Sequence, residues 1–469
     1  MSLQSLHFFA FLLTVVLVNQ ALLAQPLWRK RFLLAASYYF YALWDWRVVA
    51  VLLAITAINF VAGWCIAFSE RAAARRAWLI AASALSLSML ALAKYANFFV
   101  ASFSALLAAL GWHSDPALLN LLLPIGISFF TFQSLSYVFD VYRREQPVCT
   151  DAVDFALFVA FFPTILAGPV TRAKALLPQL AAMPPTSSTQ AESGLVLVAR
   201  GFVRKLAFAD VLAAHLVDPA FADPSRYSPS FLVVALYAYS FQIYMDVAGY
   251  TDIARGMARL IGFELPINFD RPYLARSVSS FWQRWHISVS SFFRDYVFFG
   301  LGGSRHGNVY LNLMLTFLAI GLWHGAGWNF VAYGAAHGSV VCLERWWRQR
   351  NRTIFALPAA WSQALAVAAT FHFVVLSRIL FRAGDMDSAK AYAMAMLHSD
   401  ATLTHFDLIG IAALALAALA HLLPARWSEL GVGRFARLPS MAQAAAFTVA
   451  ILVLAALSTS QPGFVYFRF

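Results

Sequence analysis

Charge and cysteine are scarce in this chain. Of 469 residues, 12% are Asp, Glu, Lys or Arg and 61% are hydrophobic, far from the usual soluble composition. The cysteines, Cys65, Cys149 and Cys342, stand far apart, which excludes a disulfide framework and a cysteine-based metal site. No H-E-x-x-H or C-x-x-C pair occurs, so zinc chemistry has no support and no metal is expected. The glycine-rich stretch 299–307, "FGLGGSRHG", lacks the order of either common phosphate loop and reads as a turn at the membrane surface. There is no G-x-S-x-G elbow of a serine hydrolase. Nor is there an internal repeat, which counts against a transporter built from related halves.

Apolar runs of roughly 20 residues fill the space left by charge, the length a helix needs to cross a hydrocarbon core. Spans expected at 6–25, 32–46, 48–68, 77–109, 119–142, 204–221, 228–250, 309–327, 329–343, 361–381, 405–424 and 441–459 make an all-α polytopic membrane protein with about 11–12 crossings. The 77–109 run is too long for one straight crossing and is expected to bend or to lie partly in the interface. The charge of +12 falls in short clusters, Arg29-Lys30-Arg31, Arg71/Arg75/Arg76, Arg143-Arg144 and Arg345/Arg348/Arg350/Arg352. They read as cytoplasmic loops facing anionic headgroups rather than as a nucleic-acid surface. Leu6–Ala24 precedes its basic cluster, so it reads as a retained helix with its N-terminus outside.

Two regions break the pattern. Residues 154–173 are apolar but interrupted by Pro163, Gly168 and Pro169, and 264–308 mixes aromatics with Arg276, Arg284, Arg294 and Arg305. Non-helical backbone at membrane depth is tolerated only inside protein or along a wet cavity, so both read as re-entrant walls of an internal site. The organisation expected is a single membrane domain, with N-terminal helices over 1–120, a motif-bearing core over 121–345 and C-terminal helices over 346–469.

Histidine is the residue out of place. His324 lies in "GLWHGAGW" (321–328), at the end of an apolar run, between Trp323 and Trp328. An intramembrane ionisable group is either functional or satisfied by a backbone carbonyl or hydroxyl, and both readings stand. Gly321, Gly325 and Gly327 admit a neighbouring helix or a substrate. His286 follows Trp282, Arg284 and Trp285, a pattern that fits an interfacial aromatic belt or a vestibule for an anionic ligand. His337 reads as a packing residue; on one helix it would stand about 20 Å from His324. Asp140 and Asp246 border apolar runs, where pairing with Arg143, Arg144 or Arg255 competes with a proton relay.

Taken in order, "GISFFTFQSLSYVFDVYR" (126–143), "FFPTILAGPVTRAK" (161–174), "SFQIYMDVAGYTDIARGMARLIGFELPINFDRPY" (240–273), "FWQRWHISVSSFFRDYVFFGLGG" (281–303), "GLWHGAGWNFVAYGAAHG" (321–338) and the final "FVYFRF" resemble the membrane-bound O-acyltransferase family. Within it they resemble the membrane subunits of bacterial polysaccharide O-acetylation. The resemblance implies a helical core pierced by a central tunnel, with His324 as the catalytic histidine and His286 as a second family position towards the cytoplasmic opening. Trp285, Arg284, Arg294, Trp323, Trp328 and Asp246 are the residues expected along the tunnel and at the donor.

It further implies a multi-pass protein of the bacterial inner membrane. Cytoplasmic acetyl-CoA would be the acyl donor, with no tightly bound cofactor, and an exported polysaccharide the final acceptor. Periplasmic acetyltransferase proteins and membrane lipids would be its partners, and nucleic acid would not. Burial between Trp323 and Trp328 would keep the imidazole neutral until it takes the proton of an attacking hydroxyl. D-alanyl transfer or acylation of a lipid or protein would share His324 and differ in the donor. A transporter is the alternative of another class.

Overall fold

A computed structural model describes residues 3, 5–112, 119, 124–350, 358–398 and 407–423, and positions 439 and 442. The described residues are helical, with no strand among them. Four helices among them are long and apolar enough to cross a membrane: Trp46–Phe68, Ala72–Ala109, Pro229–Leu260 and Ala360–Arg382. Leu6–Ala21, Val309–His324 and Leu408–Leu422 are shorter apolar helices. Apart from position 442, the expected span at 441–459 lies outside the described residues.

The chain divides into two compact units, residues 1–195 with 254–266, and 196–253 with 267–469. In the first, helices start where the sequence supplies a cap. Ser5 accepts the Phe8 N–H ahead of Leu6–Ala21, Pro26 opens Pro26–Ala42, and Asp151 accepts from Val153 and Asp154 ahead of Ala152–Ala160. Ala72–Ala109 is one continuous helix of 38 residues. At 1.5 Å per residue it measures about 57 Å and outruns a hydrocarbon core of about 30 Å.

One sequence expectation changes here. Arg29 and Lys30 do not face headgroups. Arg29 is 1% exposed and donates to Asn19 Oδ1, Met183 O and Ile261 O, each at 2.7 Å. Lys30 reaches Asp154 at 2.5 Å. A buried cation persists only when its donors are filled, and these fix the start of Pro26–Ala42 inside the first unit. The broken stretch after Ala152–Ala160 is buried from Phe161 to Thr171. Its turns close on themselves, Thr164 N–H to Phe161 O at 2.9 Å and Gly168 N–H to Thr164 O at 3.0 Å, while Ser37 Oγ takes the Phe162 N–H. This irregular backbone is thus satisfied within protein.

The second unit carries the histidine motifs. The span expected at 204–221 winds as π-helix over Val203–Asp210 and Ala213–Val217. Val309–His324 and Trp328–Gln349 form a tight hairpin, bent at 325–327. A Cβ at Gly321 would lie 2.3 Å from Phe330 O, and one at Gly334 would lie 2.4 Å from Phe317 O. Only glycine permits this approach, so the glycine-rich motif serves helix contact.

Candidate active site

Three segments bring the site together. Val309–His324 ends on His324, which is 4% exposed. Its ring meets Trp323 at 4.7 Å, Phe381 at 4.8 Å and Tyr333 at 6.0 Å between centroids. Phe381 is held there because Asn329 caps its helix, donating from Nδ2 to Leu380 O at 3.1 Å and Ala383 O at 2.9 Å. That bond satisfies two carbonyls which the helix end would leave open.

His286 approaches from the second segment, 5.7 Å from the Trp323 ring. It is 1% exposed and adopts a left-handed backbone, φ 47° and ψ 53°, between the helices Val278–Arg284 and Ile287–Phe292. A non-glycine residue there costs about 1–2 kcal/mol and needs support. Asn268 supplies it. Its backbone carbonyl accepts the Ile287 N–H at 2.9 Å, and its Oδ1 accepts the Ser288 N–H at 3.0 Å and hydroxyl at 2.9 Å. With Oδ1 doubly engaged, Nδ2 is the group that donates to His286 Nδ1, at 3.2 Å, which assigns the proton to Nε2.

His337 is locked differently. The indole N–H of Trp282 donates to its Nδ1 at 3.2 Å, so the proton sits on Nε2 and goes to Ser377 Oγ at 3.0 Å. Ser377 in turn donates to Val374 O at 2.7 Å. Both ring nitrogens are engaged, and His337 ties three helices. The bend at 325–327 corrects the single-helix separation expected from sequence: His337 and His324 touch the same Tyr333 ring, at 4.4 and 6.0 Å.

Arg378 was absent from the expected site. It is 1% exposed, its guanidinium 4.6 Å over the Trp285 ring and 5.3 Å over Phe381, with Nη1 3.4 Å from the Tyr333 hydroxyl. It therefore joins the His286 segment to the wall of His324. An arginine inside the apolar run 361–381 was the available signal.

The other expected residues separate. Trp285 and Trp323 are buried in the cluster. Arg284 is half-buried, and Arg294 is exposed and paired with Asp295 at 2.7 Å. Trp328 is 59% exposed, so it does not form the wall expected of it; Phe381 and Tyr333 do. Asp246 is fully buried and pairs with Lys205 at 2.7 Å rather than with Arg255, whose Nε donates to Leu265 O. Lys205 also reaches Asp210 at 2.8 Å, and the adjacent Asp252 takes Arg200 and Arg204 at 2.7 and 2.5 Å. Among the described residues no cluster of metal-ligating side chains occurs.

An all-helical membrane protein with a buried histidine at a helix break is the class that fold and site define. Residues 92–381 match the MBOAT, membrane-bound O-acyltransferase, family. The chain is 37% identical to the probable alginate O-acetylase AlgI of Azotobacter vinelandii over 420 residues, 88% of this chain and 82% of the relative. It is 33% identical to the peptidoglycan O-acetyltransferase of Helicobacter pylori, covering 82% and 77% of the two chains. A teichoic acid D-alanyltransferase of Streptococcus thermophilus is 29% identical over 56% of this chain and 69% of its own length. This chain belongs to the membrane-bound O-acyltransferase family. It is a multi-pass membrane acyltransferase.

Proposed function

We propose that the protein resides in a bacterial inner membrane and moves acetyl from cytoplasmic acetyl-CoA to O-acetylate an exported polysaccharide, with His324 as general base. The observation that carries the base assignment is the burial of His324 among Trp323, Phe381 and Tyr333, at the C-terminal end of its helix. The O-acetylase and O-acetyltransferase names of the relatives support acetyl as the group transferred.

In this reading the imidazole takes the proton of an acceptor hydroxyl as its oxygen attacks the thioester carbonyl carbon. The carbon–sulfur bond breaks, the thiolate leaves, and the imidazolium returns the proton to sulfur. Positioned proton transfer contributes about 10²–10⁴-fold. The helix C-terminus stabilises the transient positive ring by about 0.3–1 kcal/mol. His286, whose ring also meets Trp323 at 5.7 Å, would lie towards the cytoplasmic donor. Periplasmic acetyltransferase proteins would carry the group onward to the polymer.

Purified protein and its His324→Ala variant, given radiolabelled acetyl-CoA, test the assignment by thioester loss and label transfer. The variant should lose at least about 10²-fold in rate. Equal turnover would remove His324 from the chemistry, and D-alanyl transfer in place of acetyl transfer would replace the donor.

A further inference from the structure

One more histidine of the second unit stands apart from the cluster around His324. His421, near the end of Leu408–Leu422, is 3% exposed, and both ring nitrogens are buried with no hydrogen-bond partner among the described residues. Its ring lies among Tyr244, Tyr273 and Phe241, with centroids at 5.0, 5.3 and 6.2 Å. Tyr273 offers it no hydrogen, because its hydroxyl donates to Ser240 O. An imidazole so placed forfeits both of its hydrogen bonds, which is costly unless a ligand supplies them.

His421 borders a cavity of about 880 Å³, at the upper end of the range for small-molecule sites. Val367, Phe371, Ile411 and Leu414 give it hydrocarbon walls, and Ala415 and Ala418 leave room beside them. Arg276, an exposed residue three positions beyond Tyr273, also lines it. Among the described residues no carboxylate does, so the guanidinium is not balanced from within.

The length of the cavity fits half a bilayer. From His421 back to Ile411 its lining follows ten residues of one helix, about 15 Å at 1.5 Å per residue. A hydrocarbon core is about 30 Å thick, so this is the depth of one leaflet. The wall is apolar along that depth, and the unfilled imidazole stands at one end of it, beside the tyrosine that leads to Arg276.

We propose that this cavity binds one anionic glycerophospholipid. An acyl chain lies along Leu408–Leu422, a ring N–H of His421 donates to the ester carbonyl beneath the headgroup, and Arg276 meets the phosphate. A net negative headgroup is favoured because nothing else in the lining offsets the arginine. Tyr273 also meets Trp285, the residue before His286, at 6.1 Å, so the lipid backs a wall of the candidate active site. The site is independent of which acyl group the protein transfers.

Full-length protein in neutral detergent is titrated with palmitoyl-oleoyl phosphatidylglycerol and, separately, with phosphatidylcholine of the same chains, and bound lipid is counted by native mass spectrometry. One phosphatidylglycerol per protein is expected, bound about fivefold more tightly than phosphatidylcholine. Arg276→Gln should erase that preference. His421→Phe keeps a ring and removes both nitrogens, so it should weaken the two lipids alike, by about fivefold. Without lipid this variant should melt no lower than the parent, and added phosphatidylglycerol should raise the parent's melting temperature more than the variant's. Ala418→Phe fills the cavity and should abolish the stoichiometric binding; if it does not fold, Ala415→Phe, at an exposed position, gives the same readout. Equal affinity of the parent for the two lipids overturns the assignment, as does binding that survives the phenylalanine substitutions. Dimers in place of lipid adducts would give the cavity to a second copy and overturn it as well.

Discussion

Replacing Lys205 by Met should be among the most damaging single changes in the second unit. The amine is 2% exposed and holds two carboxylates, Asp246 Oδ1 at 2.7 Å and Asp210 Oδ1 at 2.8 Å, whose side chains are 1% and 10% exposed. Those oxygens are therefore no more than about 5.5 Å apart. Without the amine, two negative charges at that separation repel by about 3 kcal/mol at an effective dielectric of 20. Asp246 would also keep its desolvation penalty with no compensating charge, and the usual cost of breaking such a pair is about 3–5 kcal/mol. Lys205→Met with Asp246→Leu removes the repulsion and should recover more than half of that. Arg200→Met is the control, since Asp252 retains Arg204 and the lost pair is partly exposed; it should cost about 1 kcal/mol or less. Reversible unfolding in sodium dodecyl sulfate, followed by far-ultraviolet circular dichroism, measures all three. Lys205→Met within about 1 kcal/mol of the parent would refute the reasoning, as would a double variant no better than the single one.

Two further outcomes follow from the packing. Gly321→Ala or Gly334→Ala drives a methyl into a carbonyl at 2.3 or 2.4 Å, and overpacking of this kind costs about 1–3 kcal/mol; turnover should fall with it because His324 ends the same helix, and an unchanged melting temperature would count against the close contact. His337→Leu should lose about 1–3 kcal/mol by stranding the Trp282 and Ser377 groups, yet keep turnover per folded molecule within about tenfold; a loss beyond about 100-fold in protein that elutes as a folded species would bring His337 into the chemistry.

Much of this was legible because membrane helices announce themselves one segment at a time. An apolar run needs no knowledge of its neighbours, so Val309–His324 and Ala360–Arg382 fall close to the spans read from sequence. The break after Ala160 was legible for the same reason, since Pro163, Gly168 and Pro169 act locally. What escaped depends on contacts between distant residues. Arg378 meets Trp285 across 93 positions and Lys205 meets Asp246 across 41, and no local pattern reports either. Trp328 shows the converse error. It adjoins His324 in sequence, but the chain turns at 325–327, and proximity along the chain does not survive the corner.

That corner also sorts the histidines. His337 has Nδ1 filled by an indole that can only donate, so protonating it would set two donors against each other and break the bond to Trp282. A ring so fixed is unsuited to shuttling a proton. His286 keeps its tautomer through Asn268, which is itself tied to Ser288 and the strained turn, so moving that proton disturbs a whole loop. His324 instead sits at a helix terminus, walled by the Trp323, Phe381 and Tyr333 rings, the last two of which also meet Arg378. Of the three, the histidine read first from sequence is the one placed at the break between Val309–His324 and Trp328–Gln349.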